Sequence, residues 1–107
     1  MAKQAPFALI YDPAAVGHFD AIDAKYHSLI RAAIEEQLQF EPEKVTRHRK
    51  PLLRPLESGA RWELRLGPQN RFRVFYHADA DQREVYILAI GIKERERLVI
   101  GGEEVRL

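Results

Sequence analysis

A chain of 107 residues, 46% apolar and 31% charged, is long enough to bury one core and lacks the low hydrophobicity of a disordered protein. It has no cysteine, which excludes disulfides and thiolate metal sites, and no stretch approaches the roughly 18 apolar residues that a membrane-spanning helix needs. Its net charge of +1 is unevenly spread: residues 1–43 hold 3 Lys/Arg against 7 Asp/Glu, residues 44–73 hold 9 against 2, and residues 74–107 hold 5 against 7, so a polyanionic or acidic partner is expected for the middle of the chain.

The segment Met1 to Phe7 carries one Lys and no apolar run of signal-peptide length, which predicts a cytoplasmic protein, folded as one domain over residues 1–107. Phe7, Leu9 and Tyr11 alternate with Ala8, Ile10 and Asp12 and predict a first strand, stopped by Pro13. Pro13 suits the first position of a helix, and Val16, Phe19 and Ile22 follow at helical spacing, with Gly17 keeping that helix short or irregular. A second helix is predicted from the N-cap candidate Asp23 to Phe40, on the apolar series Tyr26, Leu29, Ile30, Ala33, Ile34 and Leu38. Residues 43–60, broken by Pro51, Pro55, Ser58 and Gly59, predict an ordered basic loop.

Three runs then predict an antiparallel meander: Arg61 to Leu66, Arg71 to His77 and Glu84 to Ile90, joined by short segments rich in turn formers. The third run is apolar without alternation, as in a central strand covered on both faces. Leu98 to Ile100 predicts a short last strand before Gly101 and Gly102. The fold class is α+β: one N-terminal strand, two helices, then a curved antiparallel sheet.

Within the meander Trp62, Leu64 and Leu66 share the phase of a core face, as do Phe72, Val74 and Tyr76. Arg65, Arg73 and His77 then emerge on the opposite face, beside Phe75. Two readings of that face are open. Paired arginines can grip a phosphate while Phe75 offers a ring for a base to stack on; alternatively, Arg65 pairs with Glu63 or a cross-strand carboxylate, and His77 merely ends a strand. The loop cations Arg47, His48, Arg49, Lys50 and Arg54 are candidate RNA contacts, and Lys93 and Arg95 follow the central strand so as to rim the same face. His18 and His27 lie on separate segments without an i, i+4 His pair or a thiol, so neither a metal nor another cofactor is expected.

The strings Arg49-Lys50-Pro51-Leu52, Trp62-Glu63-Leu64-Arg65, Arg71-Phe72-Arg73-Val74-Phe75-Tyr76 and Ile87-Leu88-Ala89-Ile90-Gly91 before Lys93-Glu94-Arg95, in this order, resemble the RelE/ParE superfamily of toxins from type II toxin-antitoxin systems. The resemblance implies a protein antitoxin as partner and, in the RelE branch, ribosome-dependent cleavage of mRNA by basic residues on the open sheet face, here Arg65, Arg73, Lys93 and Arg95. In the ParE branch it implies inhibition of DNA gyrase instead, and a third alternative is a degenerate member that only binds an antitoxin. RelE-like nucleases typically carry an acid/base tyrosine several residues after the Lys/Arg cluster, or a terminal His-Tyr pair. Val99 stands in that neighbourhood, and no Tyr or His follows Tyr86. Proton transfer would then pass to His77 or His48, since imidazole titrates near neutrality.

Overall fold

The computed structural model describes residues 5–106; the expectation for the extreme N-terminus falls, for residues 1–4, outside them. Strand β1 (Ala8–Tyr11) leads into helix α1 (Pro13–His18). Asp12 caps that helix, its carboxylate accepting the Ala14 amide at 2.9 Å, and Pro13 fills the first helical position where no N–H is required. The predicted first helix continues only as a 3-10 turn, Phe19–Ala21. After a second such turn, Ala24–Tyr26, opened by Asp23, helix α2 runs over His27–Leu38. Ile30, Ile34 and Leu38 recur every fourth residue along α2 and are fully buried.

The sheet contains β2 (Arg49–Pro51), β3 (Trp62–Leu66), β4 (Phe72–Asp79), β5 (Glu84–Glu94), β6 (Arg97–Ile100) and β7 (Glu103–Val105), hydrogen-bonded in that order and antiparallel throughout. β1 joins it parallel to the first half of β5, while β6 takes the same edge of β5 from Gly91 onward. The architecture is thus α+β, with an N-terminal strand, two helices and a curved sheet. β2 lies inside the segment expected to be a loop, and β7 follows the glycine pair expected to end the last strand.

The helices cover one face of the sheet. Their core takes Leu64, Leu66, Phe72, Val74 and Tyr76 against Ile30, Ile34, Leu38 and Phe19, with Trp62 half-buried and stacked on Tyr76. The Tyr76 hydroxyl donates to the Pro42 carbonyl at 2.6 Å, tying the chain after α2 to the centre of the sheet. Burial pushes the pKa of this phenol well up, the Arg49 guanidinium opposing the shift and Glu43 adding to it.

A smaller apolar cluster covers part of the other face: Ala60, Phe75, Ala89 and Leu98, with Leu52, Leu56 and Leu88 packed against them. The pairing of β4 with β5 steps from Phe75 and Ala89 to Tyr76 and Ile87, leaving Leu88 as an extra residue. That bulge explains the missing alternation of β5. Val85 and Ile87 face the helices before it, Ile90 faces them after it, and Leu88 and Ala89 join the second cluster. Among the described residues, no helix is long and apolar enough to cross a membrane.

Candidate functional site

Strands β3 and β4 place Arg65 directly opposite Arg73, an arrangement of like charges that costs stability unless an anion intervenes. Glu63 supplies that anion. Two residues along β3 from Arg65, on the same face, its side chain is only 3% exposed. One carboxylate oxygen accepts from Arg65 Nε at 3.0 Å and lies 3.8 Å from Lys50 Nζ; the other accepts from Arg73 Nη1 at 3.3 Å. Arg73 is held a second time, its Nε donating to the Asn70 carbonyl at 2.9 Å. The turn that aims this carbonyl has Gln69 and Asn70 at positive φ, after Gly67 at φ 81°.

Around Glu63 opens a groove bordered by Lys50, Arg54, Arg65, Arg73 and Lys93, with Leu52, Leu88 and Ile100 in its apolar wall. Lys50, Arg54, Arg65, Arg73, Lys93 and Arg106 against the three carboxylates Glu57, Glu63 and Glu104 leave a local excess of positive charge. Arg65 commits only Nε to Glu63, and Arg73 commits Nε and one Nη1 hydrogen, so both guanidiniums retain N–H groups for another acceptor. The open alternative for Arg65, pairing with Glu63, is therefore present, and it coexists with the groove rather than replacing it.

The other sequence candidates are placed differently. Phe75, expected as a stacking surface, is fully buried beneath the second cluster, so it presents no ring face to a base. Arg49, expected as a surface contact, is 9% exposed, and its guanidinium donates to the Gln37 carbonyl at the end of α2. Its backbone amide is held by Thr46 Oγ1. Arg49 is a clamp between the sheet edge and α2.

His48 is half-buried with its Nδ1 enclosed and without a hydrogen-bond partner; its carbonyl accepts the Arg65 amide. His77 pairs with Tyr86, four residues along β4 from Arg73, about 13 Å at strand rise, with covered Phe75 between them. Neither imidazole borders the groove. Arg47 is exposed but also lies off it, and Arg95, in the β5–β6 turn at φ 57°, does not border it either.

Two residues that border the groove carried no chemical role in the sequence. Glu63 was visible only as a partner for Arg65, although an acid in phase with one arginine and diagonal to another signals a bridging carboxylate. His18 carried no local signal. It borders the groove from α1, and its Nδ1 accepts the Ile90 amide at 3.2 Å, a contact across 72 residues of chain. Burial lowers the pKa of this imidazole, with Asp12 opposing the shift.

No curated protein matches the sequence. Residues 18–99, more than three quarters of the chain, match the family described as phage derived protein Gp49-like (DUF891). The match takes in Lys50, Glu63, Arg65, Arg73 and Lys93. This chain, with its basic groove organised on one buried carboxylate, belongs to the Gp49-like family, a family of RelE-like toxins.

Proposed function

We propose that the protein is the toxin of a type II toxin-antitoxin pair, a cytoplasmic RNA endonuclease that acts on ribosome-bound mRNA through the groove around Glu63 and is neutralised by a protein antitoxin. The observation that carries this reading is the convergence of Lys50, Arg65 and Arg73 on one buried carboxylate, with donor capacity left over for a phosphate. Family membership supports the toxin assignment. In the reaction, an RNA 2′-OH attacks the adjacent phosphorus and the 5′-oxygen leaves, giving a 2′,3′-cyclic phosphate and a 5′-hydroxyl. The 2′-OH proton goes to solvent and the leaving oxygen takes one from solvent. Arg65 and Arg73 stabilise the charge that builds on the non-bridging oxygens, and Lys50 and Lys93 hold flanking phosphates. The positions of His48 and His77 support charge stabilisation, rather than an imidazole pair, as the main source of rate.

That same placement favours one further reading, a toxin-like domain that binds an antitoxin, or inhibits DNA gyrase, without cutting RNA. Purified ribosomes translating a reporter mRNA separate the two. Cleavage products with 5′-hydroxyl ends that vanish on adding the antitoxin support the nuclease; intact mRNA from a protein that still arrests growth overturns it, and gyrase-linked DNA breaks then identify the target.

A further inference from the structure

We infer that Glu63 is a positioning residue, which holds Arg65 and Arg73 in the register at which both grip one phosphate. This rests on the reading of the groove as an RNA site. Simple electrostatics argues the opposite role. A carboxylate beside a polyanion site repels its ligand, so removing it should tighten binding. The geometry outweighs that argument. Arg65 and Arg73 are directly opposite on adjacent strands and repel each other. Glu63 takes one guanidinium on each oxygen, and it takes Arg65 by Nε alone, so neither terminal nitrogen of that guanidinium is spent in a hydrogen bond to the carboxylate. The Asn70 carbonyl fixes Arg73 Nε in the same manner, leaving Nη2 free. With its side chain 3% exposed, Glu63 is closed to competing solvent, and its neighbours Trp62 and Leu64 are locked in the helix-side core. The two guanidiniums are thus organised before any ligand arrives, which lowers the ordering cost of binding.

Two substitutions separate position from charge. Glu63→Asp keeps the charge but shortens the side chain by one methylene, so it cannot bridge both arginines. Glu63→Gln keeps the length, removes the charge and turns an amide donor toward one guanidinium. The probe is a 2′-O-methyl RNA oligonucleotide, which binds but cannot be cleaved by 2′-OH attack. Both variants should bind it about tenfold more weakly than wild type, the scale of one lost charge-assisted hydrogen bond. The Arg65 Nε–H resonance should lose its protection from exchange in both, while the backbone amide spectrum stays folded. A purely electrostatic role for Glu63 predicts unchanged affinity for Glu63→Asp and tighter binding for Glu63→Gln; either result with the fold intact overturns the inference. Should Glu63→Gln unfold, Glu63→Asp alone decides between weaker and unchanged binding. If wild-type protein fails to bind the oligonucleotide, the reading of the groove falls and the inference with it. Binding by wild type, matched by both variants, removes the inference alone.

Discussion

His18 Nδ1 accepts the Ile90 amide at 3.2 Å in the interval of the β5 edge where β1 has ended, its last bond being Asp12 N–H to the Ile87 carbonyl, and β6 has not begun. The imidazole thus takes the place of a strand for one residue. Gly101 packs beside it, where a Cβ would stand 3.0 Å from the ring. An acceptor at Nδ1 requires the neutral ring. Burial lowers the folded pKa below that of the unfolded chain, so between the two values the unfolded state binds more protons. The contribution is therefore complete above the unfolded value, about 6.5, and is lost as pH falls through the folded value. Urea denaturation at several pH values should show wild type losing stability below about pH 6.5 relative to His18→Gln, which cannot titrate. Parallel pH profiles for the two proteins would remove His18 as the cause.

Phe75 is fully buried between Ala60, Ala89 and Leu98, whereas Leu53, in the covering loop between Leu52 and Leu56, is completely exposed. Phe75→Ala should cost about 3 to 5 kcal/mol by emptying core volume, and any loss of RNA binding should track unfolding. Leu53→Ser should change stability by no more than about 0.5 kcal/mol. Thermal melts of both proteins decide the matter. A stable Phe75→Ala protein with selectively weakened RNA affinity would return the ring to the binding site.

The contrast between Phe75 and Leu53 also shows where sequence was informative. The helix-side face of β3 and β4 was legible because Leu64, Leu66, Phe72, Val74 and Tyr76 obey the two-residue period of a strand buried on one side. The cover over Phe75 comes from Leu52 and Leu56, in a segment whose prolines erase any periodicity. β2 is similarly opaque: three residues ending in Pro51 become a strand only through pairing with Trp62–Leu64. The arginine pair of the groove could be placed from alternation alone, but the burial of Arg49 depends on a carbonyl of α2, twelve residues away. Tertiary partners of that kind leave no mark on local pattern.

Arg49 and Tyr76 fasten opposite ends of the connection after α2, through the carbonyls of Gln37 and Pro42. Tyr76→Phe leaves the buried Pro42 carbonyl without its donor and should cost about 1 to 3 kcal/mol. Arg49→Ala should cost a similar amount, about 1 to 3 kcal/mol, by orphaning the Gln37 carbonyl and removing packing. Neither should change the salt dependence of RNA binding by the folded protein, because neither side chain borders the groove. Chemical denaturation alongside fluorescence anisotropy at two salt concentrations tests this. A reduced salt slope for Arg49→Ala would mean that its guanidinium reaches RNA after all.

Arg73 and Lys50 both address Glu63, yet their side chains are 14% and 49% exposed. Removing Arg73 takes a donor from the buried carboxylate and another from the Asn70 carbonyl, so Arg73→Ala should cost about 2 kcal/mol of stability in addition to activity. Loss of function there does not by itself prove contact with RNA. Lys50 gives the cleaner experiment. Its ion pair is long and solvent-screened, so Lys50→Ala should stay within about 0.5 kcal/mol of wild type. If its ammonium meets a phosphate, the same substitution should lower the slope of log affinity against log salt by about 0.7, the value for one contact to a single strand. Anisotropy titrations of an RNA oligonucleotide between roughly 50 and 200 mM salt measure that slope directly. An unchanged slope would place the polyanion elsewhere on the protein, and the groove around Glu63 would lose its claim to it.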